Sequence, residues 1–228
     1  MIKRILTSAG MLALLAIATP VQADLVLSKV VVDFPGEADA FDDIEVFNTG
    51  EERIYVVAEP SEILNPGEAD QQRVKIVNFD EAGLLVSPQR LILEPGERRV
   101  IRIAALGPAP DEDRVYRITI KPVTGAVSAD RSALKVLVGY DALVIRRPGQ
   151  FRGQLDVSRE GRLVVFRNGS NTAQELFDGI ICQAGKDDCV TLTGTRLYPG
   201  NNWQLELPTE GQARFRVSPG ASVSELAF

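Results

Sequence analysis

The sequence predicts an all-β chain folded as two β-sandwiches, and three observations predict it. Short apolar-rich runs alternate with turn signals, and almost nothing repeats at helical spacing. Proline-glycine pairs punctuate the runs at Phe34-Pro35-Gly36-Glu37, Asn65-Pro66-Gly67-Glu68, Glu94-Pro95-Gly96-Glu97 and Tyr198-Pro199-Gly200-Asn201. Proline presets φ at the second position of a type II turn and glycine accepts positive φ at the third, so these are hairpin or corner turns rather than a catalytic motif. A sandwich typically needs ~100 residues, and this chain of 228 has room for two.

Residues 1–23 read as a cleavable secretory signal. Lys3 and Arg4 precede an apolar run from Ile5 to Ala18, and Val21-Gln22-Ala23 supplies small residues at the positions a signal peptidase reads. The run is shorter than the ~20 residues of a membrane-spanning helix, and Pro20 follows it. Removing 23 residues from 228 leaves 205, beginning near Asp24, with no later segment able to span a membrane. The expected product is soluble and secreted.

In the mature chain the expected strands are residues 25–32, 44–48, 54–59, 84–87, 91–93, 99–104, 116–122, 134–146, 153–158, 162–168, 175–182, 189–192, 203–207 and 213–217. Each is an apolar or alternating run bounded by turn residues. Arg146-Arg147-Pro148-Gly149-Gln150 divides the set, because proline stops the ladder there and a fresh series of strands begins. The expected domains are 24–147 and 148–228, with an elbow between them. Asn168-Gly169-Ser170 matches a glycosylation acceptor, yet Asn-Gly between two apolar runs is better explained as a tight turn.

The most informative element is the run from Leu134 to Ile145. At ~3.3 Å per residue it would span roughly 40 Å, well beyond an ordinary strand. It is apolar on both faces, and Lys135 and Asp141 are its only charges. An edge strand of this kind invites pairing with another chain. The row Leu134, Val136, Val138 and Tyr140 therefore looks kept for a partner, and self-association through the same strand is another way of covering it.

Charge and composition exclude several functions. The chain has 25 basic and 31 acidic residues, and losing Lys3 and Arg4 with the signal makes the mature charge about −8, which disfavours nucleic acid. With no histidine, Ser-His-Asp, Cys-His and His-ligated zinc sites are impossible. No P-loop or dinucleotide fingerprint is present, so no cofactor is expected. Cys182 and Cys189, seven apart in a secreted chain, read as a disulfide stapling a hairpin, whereas a redox or metal role lacks the Cys-x-x-Cys spacing.

Three ordered blocks carry a family resemblance: Val86-Ser87-Pro88-Gln89-Arg90-Leu91-Ile92-Leu93-Glu94-Pro95-Gly96-Glu97-Arg98-Arg99-Val100-Ile101-Arg102-Ile103, then Glu112 to Pro122 with Val115-Tyr116-Arg117-Ile118, then the long strand closing on Arg147-Pro148. Together they resemble the periplasmic pilus-assembly chaperones of the chaperone–usher pathway, the PapD-like family. The resemblance implies two immunoglobulin-like sandwiches in an L and a non-enzymatic chaperone of the periplasm. Its partners would be pilus subunits and an outer-membrane usher. The long strand would complete a subunit's immunoglobulin-like fold, with Leu134, Val136, Val138 and Tyr140 filling the groove.

The family's best-known members also hold the subunit's terminal carboxylate with two basic residues, and here those positions fall on Val31 and Leu143. That departure resembles the alternative or archaic branch, as do Val115-Tyr116-Arg117 and the Cys182–Cys189 hairpin. The expected anchor is then Arg117, with Lys29 and Arg102 behind it, since guanidinium binds carboxylate in a bidentate fork. The resemblance further implies an ion pair across the elbow between Arg147 and Glu112, with Glu210 as a third member.

Two other functions compete. A pilus subunit or secreted adhesin would carry a donated N-terminal extension, and residues 25–32 could pass for one, although no spacer precedes the fold. A carbohydrate-active enzyme would need paired carboxylates such as Asp42 and Asp43 or Asp187 and Asp188, but adjacent carboxylates in turns are usually solvated.

Overall fold

The structure, a computed structural model, describes residues 24–36, 40–123, 137–183, 189–220 and 222–228. The expected signal, residues 1–23, and the Asp187-Asp188 pair lie outside the described residues. The chain is all-β, with two immunoglobulin-like sandwiches of two sheets each. In the first sandwich, one sheet runs β1 (Leu25–Leu27), β3 (Phe41–Asn48), β8 (Arg98–Ala105), β6 (Leu84–Ser87). The other runs β2 (Val31–Phe34), β10 (Tyr140–Arg146), β9 (Arg114–Val123), β4 (Ile54–Leu64), β5 (Gln72–Lys75), and β7 (Arg90–Leu93) also pairs with β4. Alternation fills the space between them: Ile44 and Val46, Ile101 and Ile103, and Tyr116, Ile118 and Ile120 all point inward and are buried. Burial of each such side chain stabilises the fold by ~1.5–3 kcal/mol.

The second sandwich pairs β11 (Leu155–Glu160), β12 (Leu163–Asn168) and β16 (Asn202–Glu206) in one sheet. The other sheet runs β14 (Cys189–Leu192), β13 (Gln174–Cys182), β17 (Gln212–Ser218), β18 (Ser224–Ala227), with β15 (Thr195–Leu197) also on β13. Its core is aromatic: Phe166 stacks on Trp203 with ring centroids 5.1 Å apart and meets Phe215 and Phe228 edge-on. Cys182 and Cys189 are bonded and face each other across β13 and β14.

Four expected elements change on folding. Residues 25–32 are not one strand but two. β1 pairs with β3 and β2 pairs in parallel with β10, so the chain crosses from one sheet to the other at Ser28–Val30. A segment that serves two sheets buries opposite faces in turn, which is why it is apolar at odd and even positions alike on either side of Ser28-Lys29. The strand expected over 54–59 continues through Pro60 to Leu64. β7 pairs with β4 at residues 54–57 and β5 at 61–64, so the missing N–H of Pro60 falls in the gap between them.

The strand expected over 134–146 is β10, Tyr140–Arg146; Leu137, Val138 and Gly139 precede it outside the ladder, and Leu134 and Val136 lie outside the described residues. Finally, Asn168-Gly169-Ser170 makes a turn between sheets rather than a hairpin within one. Asn168 is fully buried, and its carboxamide oxygen accepts from the Ser170 amide at 3.0 Å. A buried carboxamide is unavailable to a glycan.

At the junction Phe34 O accepts from the Arg147 amide at 3.0 Å. A Cβ on Gly36 would fall 2.0 Å from Pro148 O, so the Pro35-Gly36 turn is held by a close backbone approach that only glycine allows.

Candidate functional site

β10 is the strand on which the site is built. On one side β9 pairs with its whole length, Tyr140↔Ile120 to Arg146↔Arg114. On the other, β2 pairs only with Leu143–Arg146, and the last bond is Leu143 N to Val30 O at 2.8 Å. Among the described residues, Tyr140–Ala142 have no strand on that side. An open run of backbone donors and acceptors is thus left at the entrance to the strand.

The two faces of β10 differ. Ala142 and Val144 are buried in the first sandwich's own core, and Tyr140 packs against it while its hydroxyl donates to Leu25 O at 2.8 Å. Tyr140 therefore already has a partner within its own chain. Val138, one step further along the same row, is 46% exposed. The opposite face carries Asp141, Leu143 and Ile145. Leu143 and Ile145 join Ile63 and Val115 in a small apolar cluster on which Tyr198 of the second sandwich packs.

This second face brings together the positions at which the resemblance expects an anchor. Val31, Leu143, Arg117 and Ser61 lie side by side across β2, β10, β9 and β4. The two positions where the family resemblance places basic residues are thus neighbours, and the guanidinium of Arg117 projects from the next strand. Its Nη1 donates to Asp141 O at 3.1 Å and its Nε lies 3.8 Å from the Asp141 carboxylate.

Arg73 on β5, which sequence reasoning missed, reaches the same carboxylate with a fork at 2.7 and 3.2 Å and donates to Thr119 Oγ1 at 2.8 Å. Burial acts to raise the Asp141 carboxyl, but the Arg73 hydrogen bonds and charge prevail and hold it below its usual value.

The other expected anchors are placed elsewhere. Arg102 lies in the opposite sheet, on its outer surface, in a fork with Asp43 at 2.9 Å and over the Phe41 ring, so the whole sandwich separates it from Arg117. Lys29 sits at the sheet crossing and binds Asp42 at 2.7 Å. Of the three, only Arg117 faces the space beside β10 and the second sandwich.

The elbow ion pair forms with different partners from those expected. Arg147 donates to Asp33 at 2.8 and 2.7 Å, to Asp113 at 3.1 Å, and to Thr172 Oγ1 and Ala173 O of the second sandwich at 2.8 and 3.1 Å. Asp113, not Glu112, is the buried partner, and it also accepts from Thr172 Oγ1 and the Ala173 amide. Side chains alternate along the approach to β9, so residues 113, 115 and 117 share the face on which Arg147 lies. Burial pushes the Asp113 carboxyl up despite the adjacent guanidinium. Glu210 lies in the turn between β16 and β17, where its carbonyl accepts from Thr209. A further tie crosses the junction from Asn201 Nδ2 to Glu68 at 2.6 Å.

No protein-family model matches the chain. It is 26% identical over 214 residues to the probable fimbrial chaperone EcpE of Escherichia coli strain K12, covering 87% of each protein. The chain is thus similar in sequence to fimbrial chaperones over most of its length.

Among solved structures, the class 5 fimbriae chaperone CfaA shares the fold at a TM-score of 0.67 and 22% identity, over 90% of this chain and 97% of that one. A chain from the complex of Salmonella enterica SafA pilin with the SafB chaperone does so at 0.62 and 20%, over 92% and 98%.

Proposed function

We propose that this chain is a fimbrial chaperone: it binds pilus subunits in the periplasm by donor-strand complementation, keeps them from aggregating and delivers them to an outer-membrane usher, without catalysis. One observation carries the reading: β10 pairs fully on its β9 side and is open at Tyr140–Ala142 on the other. A subunit strand added there gains main-chain hydrogen bonds, and alternate side chains enter its groove. Among the described residues Val138 is the exposed member of that row, with Val136 and Leu134 preceding it in sequence. Tyr140 marks the point where the row turns into the chaperone's own core.

In this reading residues 24–147 are the domain that lends the strand and 148–228 the domain that closes the other side of the cleft. Arg117 anchors the subunit's terminal carboxylate, and Arg147 fixes the angle between the domains. SafB and a chaperone bound to a CFA/I tip adhesin have been solved as complexes with their subunits, which supports the same class of partner here. Residues 25–32 do not supply a donated extension of the pilin kind, since they pair with β3 and β10.

The test is co-expression in a periplasm with the pilin encoded beside this gene, comparing wild type with Val136→Asp/Val138→Asp. A one-to-one complex that the double variant loses while remaining folded supports the reading. A complex that survives moves the binding surface away from this row.

A further inference from the structure

We infer that Arg146 is a positioning residue for the elbow: it staples the connection between β8 and β9, residues 106–113, to the first sandwich and so fixes the point at which the second sandwich is gripped. The staple belongs to the frame that holds the cleft and does not depend on the donor-strand reading.

Arg146 is the last residue of β10 and only 3% exposed, a rare place for a full charge. Among the described residues its partners are three main-chain oxygens and no carboxylate. Nη1 donates to Gly83 O at 3.2 Å, and Nη2 donates to Gly107 O and Pro108 O at 2.6 and 2.5 Å. Nε is buried with no partner. An unpaired charge and an unmet donor are costly to take out of water, so the stability of the first sandwich alone is a poor reason for an arginine here. The planar fork is what one side chain needs to hold three carbonyls at once.

One end of the staple is firmly built. Gly83 closes a single helical turn over Phe79–Ala82, and a Cβ on it would fall 2.5 Å from Arg146 Nη1, so the guanidinium lies directly against the glycine. Arg114 and the buried Tyr116 hydroxyl donate to the neighbouring carbonyls, Glu81 O at 3.3 Å and Ala82 O at 2.7 Å, which fixes the turn to the core. From this turn Arg146 reaches across to residues 107 and 108.

The far end of the same connection is where the sandwiches meet. Asp111 O accepts from Asn171 Nδ2 at 2.8 Å, and the Asp113 amide donates to Asn171 O at 3.1 Å. The Asp113 carboxylate accepts from Thr172 Oγ1 at 2.8 Å and from the Ala173 amide at 2.6 Å. Successive side chains of a strand point to opposite sides. Arg146 therefore holds the connection at 107–108 from the core side, while Arg147 holds it at Asp113 from the cleft side. Residues 107–110 belong to no strand, so without Arg146 they lose their hold on the first sandwich and the bonds to residues 171–173 open more often.

The experiment is residue-resolved amide hydrogen exchange by NMR on the full mature chain, comparing wild type with Arg146→Met, which keeps much of the side chain's length and removes its donors. The Asp113 and Ala173 amides bridge the sandwiches and should exchange roughly tenfold faster in the variant, the size expected on losing hydrogen bonds from a charged donor. Amides of the β3–β8 and β13–β17 ladders should keep their wild-type rates. Arg146→Lys retains the charge without the fork and should speed the same two amides by less; it carries the test if Arg146→Met does not fold.

Unchanged exchange at Asp113 and Ala173, or an equal rise throughout the first sandwich's ladders, overturns the proposal. Pilin binding is not the readout, so failure of wild type to form a pilin complex would sink the donor-strand reading and leave the staple standing.

Discussion

In the first sandwich Asn48 is fully buried. Its amide donates to Glu97 O at 3.1 Å, its carbonyl accepts from Gly96 at 3.0 Å, and its Nδ2 donates to Leu93 O and Glu52 O at 3.1 and 2.7 Å. In the second, Asn168 is equally buried. It makes the corresponding bonds to Asn201 O and from Gly200, both at 2.9 Å, and from Nδ2 to Leu197 O and Thr172 O, both at 2.9 Å. Each asparagine also turns its own loop, through Gly50 or Ser170.

The same lock therefore ties a Pro-Gly turn to the end of a strand in both halves. Around it the halves diverge. The first has an aliphatic core, a segment that supplies a strand to each sheet and an open edge beside a cluster of charges; the second has an aromatic core and a disulfide. What is shared holds each sandwich together, and the open edge of β10 belongs to the first alone.

The largest effect should come from the aromatic core. Phe166→Ala removes a fully buried ring that touches three others and should destabilise the second sandwich by ~3–5 kcal/mol. Denaturant unfolding followed by Trp203 fluorescence reads it directly, and a loss below ~1 kcal/mol would mean that the cluster repacks.

The lock itself is tested by Asn48→Ala and Asn168→Ala. Each removes a buried carboxamide and its two hydrogen bonds to backbone carbonyls, so each should lose ~2–4 kcal/mol, from its own sandwich. Markedly unequal losses would show that the geometric likeness is not an energetic one. Removing the disulfide with Cys182→Ala/Cys189→Ala should lower stability by ~2.5 kcal/mol on the loop-entropy model, in the second sandwich alone.

Much of the fold was legible in the sequence: the Pro-Gly turns and the period-2 burial of β3, β8 and β9 follow from local chemistry. Arg73 was hidden because every residue of β5 is exposed and only Val74 is apolar, so no pattern marks it as a strand. The elbow partner was read one residue away, at Glu112. Which of two adjacent acids faces Arg147 depends on the register of β9, which composition does not carry. Asp33 was likewise missed, because its pairing with Ile145 exists only once residues 25–32 have changed sheets. Long-range placement, rather than local propensity, accounts for each of these.

The smallest predicted effect is a difference in acid sensitivity. Asp43, Glu59, Glu97 and Asp141 are all held below their usual values, and all lie in the first sandwich. Hydrogen bonds from Arg102, Lys121 and Arg73 act on Asp43, Glu59 and Asp141, and a backbone amide with Arg99 acts on Glu97. A carboxylate with a lowered folded pKa contributes stability above its unfolded value of roughly 4, and loses it as pH falls through the folded one.

Asp113 has the opposite sign. Its raised folded value makes its contribution complete below the unfolded pKa and lost as pH rises through the folded one, so mild acidification should first strengthen the elbow. Urea unfolding at successively lower pH should therefore show the first sandwich gaining slightly above pH ~4 and then falling below it. The second sandwich should move less, since the shifted carboxylates named above all lie in the first. Parallel decline of both from neutral pH would mean that general charge repulsion, and not these ion pairs, sets the acid response.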